Sequence, residues 1–246
     1  MPISPNQGST GGGTTVTITG TNLASATAVR FGSKLATITA NTATSVTVTS
    51  PSGSGTVQVT VTTAAGTSNP LDFFYVGAPF KSALSAVSGP SAGGNTITIT
   101  GTGLSSATSV AFGANNATPT VNSDSQVSVT VPAGTAGTVG VSVTTAGGTN
   151  NGFSYTYVDV PTITSLTPTS GSTAGGTAVT ITGTQLSTTQ SVTFGGAAAP
   201  FSVVSATSVS AVTPPGTAGD VDVVLTTSGG SVTETAGYTY VAGPGI

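Results

Sequence analysis

Asp220 and Asp222 stand two residues apart in GDVDVVLTTSGG (219–230), the closest carboxylate pair in a chain with few acids. On a strand that spacing places both on one face. Two carboxylates there suggest a Ca²⁺ site or an acid/base pair across a glycosidic bond. Calcium, however, takes about six oxygen ligands. Sugar hydrolysis needs its two carboxylates roughly 5–10 Å apart across a cleft. No further acidic residue completes either set, and the aligned positions are Thr56 and Gln58, then Thr138 and Gly140. The pair reads as a solvated strand face, with no metal and no cofactor expected.

The other charged residues extend the exclusions. They are Arg30, Lys34, Lys81, Asp72, Asp124, Asp159 and Glu234, so only 4% of the chain is charged. With no His and no Cys, Ser-His-Asp and Cys-His catalysis are ruled out, as are most zinc sites. Nucleic-acid binding needs clustered Lys and Arg to neutralise phosphates, and three basic residues do not supply them. A Lys-to-Asn isopeptide cross-link would need a core lysine. Lys81 falls in the linker before the second unit, and the later units have no other. Asn116-Ala117-Thr118 is a formal glycosylation sequon of a kind that arises by chance in Thr-rich sequence. The Gly-Gly pairs precede strands and open no helix, so they cradle no phosphate. A non-enzymatic protein is expected.

The elements behind these residues are β-strands. Val and Thr favour pleated strands, while 35 Gly and 14 Pro punctuate turns. No long stretch carries apolar residues at helical spacing, which makes the class all-β. A surface of Thr, Ser, Gly and Ala is hydrated but weakly self-repelling, as suits an assembly subunit or an extracellular module. No apolar run approaches about 18 residues, so no membrane insertion is expected. MPISPNQGST has neither a basic nor an apolar leader region. An extracellular or cell-surface location then implies a leader already removed, or another route such as release with a phage-like particle.

Internal repetition is the strongest pattern. GGGTTVTITGTNL (11–23) recurs as AGGNTITITGTGL (92–104) and AGGTAVTITGTQL (174–186); AVRFG (28–32) recurs as SVAFG (109–113) and SVTFG (191–195). GTVQVTVTTAAG (55–66), GTVGVSVTTAGG (137–148) and GDVDVVLTTSGG (219–230) follow, each leading into a closing strand that ends FFYV or YTYV. Val16 and Ile18 alternate with Thr, which buries one strand face and solvates the other. The turns at 64–66, 146–148 and 228–230 read as hairpins. About seven short strands in each ~80-residue unit describe an immunoglobulin-like sandwich, with Phe31, Phe112, Phe194 and the closing tyrosines in its core.

The sequence Ser4-Pro5 or TPTSG, then GGT.VTITG..L, then V.FG resembles the IPT/TIG domain family, three copies of which cover nearly the whole chain. Gly12-Gly13 and Gly20, Gly93-Gly94 and Gly101, and Pro168, Gly175-Gly176 and Gly183 carry the likeness. The resemblance implies tandem immunoglobulin-like folds of the E-set type, as in plexins, Rel-type transcription factors and bacterial surface proteins, acting as spacers and interaction modules. The expected domains are 1–76, with a truncated opening strand, 79–158 and 161–241, followed by a tail at 242–246. The junctions are short, so a fairly stiff rod is expected.

The junctions also align with the chain ends. Val76-Gly-Ala-Pro79-Phe-Lys81 and Val158-Asp-Val-Pro161-Thr-Ile163 match Val241-Ala-Gly-Pro244-Gly245-Ile246. Ile3 falls at the position of Leu84 and Leu166, so the first unit lacks the start of its opening strand. Writing VAGPGI before Met1-Pro2-Ile3 restores a full junction. The expectation is a homopolymer that docks head-to-tail through Met1, Pro2, Ile3, Pro244, Gly245 and Ile246, since an open sheet edge accepts an added strand. Burying Ile246 contributes roughly 1.5–3 kcal/mol, while ordering the tail costs about 1–2 kcal/mol per residue. Stable filaments would therefore need further contacts of about 1,000 Å². Adhesion to a surface protein or glycan, or decoration of a virion or injection particle, are the alternative functions.

Overall fold

The computed structural model describes residues 2–244. Alternation of branched apolar residues with Thr decides the strands. In Thr15–Thr19, Val16 and Ile18 are buried while the flanking threonines face solvent. Thr96–Thr102 and Ala178–Thr184 repeat this with Ile97 and Ile99, then Val179 and Ile181.

Each unit is a pair of sheets. In the first, one sheet runs in the order Ile3–Ser4, Thr15–Thr19, Ser45–Thr49, Thr37–Asn41. The other runs Gln7–Ser9, Leu71–Val76, Gly55–Thr63, Ala28–Phe31, Lys34–Leu35, with Gly66–Thr67 hairpinned onto Gly55–Thr63. All pairings are antiparallel except Gln7–Ser9, which lies parallel to the closing strand Leu71–Val76. The second and third units repeat the order, each with a four- and a five-stranded sheet. Their closing strands, Gly148–Val158 and Gly230–Val241, are continuous. In the first unit the equivalent run breaks at Pro70, which has no N–H to give to a ladder. Among the described residues one element departs from an all-strand reading: a 3-10 turn at Leu186–Thr188, entered through Gln185 in a left-handed conformation.

Three separate cores result. Phe31, Phe112 and Phe194 are all buried, each edge-on to a residue of the closing strand: Phe73 at 4.9 Å, Tyr155 at 5.4 Å and Tyr238 at 5.2 Å between ring centres. These rings fill sandwich interiors and offer no face to a ligand.

The recurrent Gly-Gly pairs have a steric cause. Gly12, Gly93 and Gly175 adopt positive φ, and a Cβ on any of them would lie 2.6 Å from backbone of the proline-containing loop opposite. The following N–H donates into that loop, from Gly13 to Ser50, Gly94 to Val131 and Gly176 to Thr213.

Candidate interaction surfaces

The opening strands differ in length. Phe80–Leu84 and Thr162–Thr167 pair along their neighbours up to Thr102 and Thr184, whereas Ile3–Ser4 pairs only with Ile18 and Thr17. The register places Ile3 opposite Ile18, as Leu84 lies opposite Ile99 and Leu166 opposite Ile181. Pro2 adds one bond, its carbonyl accepting from Thr19 N–H at 3.0 Å. Ile3 is half-buried against the first core. Beyond Thr19 the edge of that strand has no ladder partner among the described residues.

Beside this edge lies a hollow of about 200 Å³, lined by residues that include Asn22, Leu23, Val61, Ala65, Gly66 and Ser68. In the second unit the linker fills the corresponding place. Asn150 donates its side-chain N–H to the Pro79 carbonyl at 2.8 Å, and Gly103 and Gly148 lie against Pro79 and Ala78. The hairpin-turn glycine is tightest: a Cβ on Gly147 would stand 1.8 Å from the Gly77 carbonyl oxygen. Gly229 lies in the same way under the Asp159 carbonyl, at 2.2 Å. The first unit has Ala65 at this position. Its methyl group occupies the path that the internal linkers take.

Lys81 is not a linker residue. It lies in the opening strand of the second unit, paired with Gly101, where the third unit pairs Ile163 with Gly183. Its side chain is only 5% exposed. The ammonium donates to the Val141 carbonyl at 2.6 Å and sits 5.2 Å from the centre of the Phe153 ring. Burial holds its pKa below the ordinary lysine value. It lines an open cavity of about 450 Å³ with Phe80, Ser82, Asn150, Asn151, Gly152 and Phe153.

The IPT/TIG domain family matches residues 1–75, 79–157 and 161–240. The chain belongs to the IPT/TIG domain family. Among solved structures, the extracellular region of plexin A4 is 20% identical, with a TM-score of 0.51 over 99% of this chain and 24% of the plexin chain. The chain thus spans about a quarter of that structure, and the likeness is one of fold. The FdeC adhesin of Escherichia coli is 14% identical over 95% of each chain, with a TM-score of 0.33. The SGBP-B protein of a Bacteroides uniformis xyloglucan utilization locus is 20% identical over 66% of this chain and 49% of its own, with a TM-score of 0.33. No curated protein matches the chain.

Within these IPT/TIG units the other sequence-derived candidates lie apart from one another. Asp220 accepts from the Thr239 hydroxyl at 2.6 Å and Asp222 from the Ala236 N–H at 2.9 Å, both on an exposed strand face. Their own closing strand therefore occupies them. Among the described residues no group of three or more His, Cys, Asp or Glu could hold a metal. Asp124 takes the Gly103 N–H at 3.1 Å, and that bond, with weaker ones from Ser105, holds its carboxyl below the usual range. Pro244 is exposed. Met1, Gly245 and Ile246 lie outside the described residues. Sequence reasoning missed Ala65, although the contrast of Ala-Ala-Gly with Ala-Gly-Gly and Ser-Gly-Gly was its visible sign. It also missed the burial of Lys81, because a lysine aligned with Ile163 reads equally well as exposed.

Proposed function

We propose that this IPT/TIG chain is a non-enzymatic structural protein of the cell surface or extracellular space, and that copies associate head-to-tail. The single observation that carries this reading is the hollow on the first unit, at the place where the second unit holds residues 77–79 and where the strand edge beyond Thr19 is open among the described residues. The proposed occupant is the C-terminal segment of a second copy, with Pro244 at the place of Pro79 and Ile246 at that of Ile163. Strand addition to an open edge supplies main-chain hydrogen bonds, with side-chain pockets giving register. A contact of this kind that does not close on itself propagates as a filament.

Ala65 makes the docking weaker than an internal joint, because the carbonyl of Ala242 meets a methyl group where that of Gly77 meets a glycine. Lateral contacts between the uncharged Thr- and Ser-rich faces must then add to it.

The test is a fluorescent VAGPGI peptide titrated against the purified chain, with electron microscopy of the chain alone. Saturable binding that Ala65→Gly strengthens, and filaments that vanish when residues 244–246 are deleted, are expected. No peptide binding, together with a wild type that stays monomeric at high concentration, would sink the proposal. A second reading is a binding module for a surface glycan or protein. The open cavity beside Lys81 favours it.

A further inference from the structure

A buried charge is costly unless paired. Lys81 replaces the isoleucine of the third unit at a position that packs against the core, so its amine is not there for stability. A carbonyl and an aromatic ring are its partners, and none of the other six residues lining its cavity carries a charge or titrates. The carbonyl is presented by an irregularity in the hairpin. Pairing shifts between Val141 and Val143, because the closing strand carries an extra residue at the bulge beside Gly152, which has φ +124°. The bulge turns Asn151 outward, exposed at the rim. Phe80, 63% exposed, stands at the same mouth. The cavity thus combines a cation with no counter-ion, the exposed Asn151 amide and an open aromatic face, while the Ser82 hydroxyl is taken by Thr100 and the Asn150 amide by the Pro79 carbonyl. Its volume, about 450 Å³, lies within the range of small-ligand pockets.

We propose that this cavity binds a small carboxylate carried on a ring, of the size and chemistry of a hexuronic acid, with the acid group paired to Lys81 and the ring against Phe80. The ligand supplies the counter-charge that the fold omits. A charge-assisted bond to a buried ammonium is stronger than its equivalent at the surface. The third unit does not share the site, since it has Ile163 at the place of Lys81. The site is also independent of head-to-tail docking, which concerns the first unit, so failure of one leaves the other standing.

The test titrates glucuronate, glucose, acetate and an oligogalacturonate into the ¹⁵N-labelled full chain, following the amide signals of Asn151 and Phe153. Saturable shifts with glucuronate and none with glucose are expected. Lys81→Met should weaken glucuronate by about tenfold or more, whereas Lys34→Met should change nothing. Phe80→Ala, which alters no core residue, should weaken glucuronate more than acetate. Saturation by the oligogalacturonate points to an acidic polysaccharide as the source, and saturation by the monomer alone to a free acid; both support a carboxylate site. Equal binding of glucose and glucuronate, undiminished binding in Lys81→Met, or no shift with any acid would overturn the proposal.

Discussion

Tyr157 donates its phenolic hydrogen to the carbonyl of Pro132 at 2.8 Å. The bond ties the closing strand to a loop 25 residues earlier. Tyr75 makes the same bond to Pro51 at 2.7 Å and Tyr240 to Pro214 at 2.6 Å. The proline loop is thus held from one side by the Gly-Gly turn and from the other by a tyrosine.

Removing that hydroxyl should loosen the second unit. Tyr157→Phe leaves the Pro132 carbonyl without its donor, which costs about 1–2 kcal/mol. Differential scanning calorimetry should show one of three unit transitions moved down, the other two unchanged.

Alkali should act through the same residues. Burial raises the pKa of Tyr75, Tyr157 and Tyr240 above the ordinary value of about 10. The folded chain then holds phenolic protons that the unfolded chain releases. The associated stability is fully present below about pH 10 and is lost as pH rises through the folded-state values. Urea midpoints measured from pH 8 to pH 11.5 should fall over that window, and fall less in Tyr157→Phe.

Tyr238 should behave differently from Tyr155. The Tyr155 hydroxyl exchanges bonds with Asn95 at 2.9 and 3.2 Å, whereas the buried Tyr238 hydroxyl has no partner among the described residues. The first unit already uses Phe73 at this position. Tyr238→Phe should therefore be neutral or stabilising, and Tyr155→Phe should cost about 1 kcal/mol in denaturant titrations.

Lys81→Ile should stabilise the second unit by up to about 2 kcal/mol through added apolar burial. The pH dependence carries a sign. Lys81 has a lowered pKa, so the folded state binds fewer protons than the unfolded one. Its penalty is full below the lowered value and fades as pH rises from there towards about 10.5. The variant should lose that upward slope.

Gly147→Ala places a methyl against the Gly77 carbonyl. Overpacking against backbone costs about 1–3 kcal/mol. Faster proteolysis near residues 77–79 and a changed small-angle scattering profile should follow, whereas Gly140→Ala, with open space around it, should change neither.

The strand pattern was legible residue by residue. Val16 and Ile18 beside Thr17, or Phe31 beside Gly32, state which face turns inward, because side chains alternate along a strand. The register of Ile3 with Leu84 and Leu166 was equally legible, since three copies of one pattern align themselves. What the alignment could not show was depth. Lys81 and Ile163 share a register position, yet only packing reveals that a lysine there lies buried over Phe153 and bonds to the Val141 carbonyl.

The sequence by itself determined the all-β class, the three sandwiches, their cores and the absence of His- or Cys-based chemistry, because these follow from residue type and local period. Only the tertiary structure decided where hollows and buried polar groups lie. That Ala65 stands where a linker carbonyl passes, and that a bulge at Gly152 sits beside a buried amine, depends on segments distant along the chain meeting within a few ångströms.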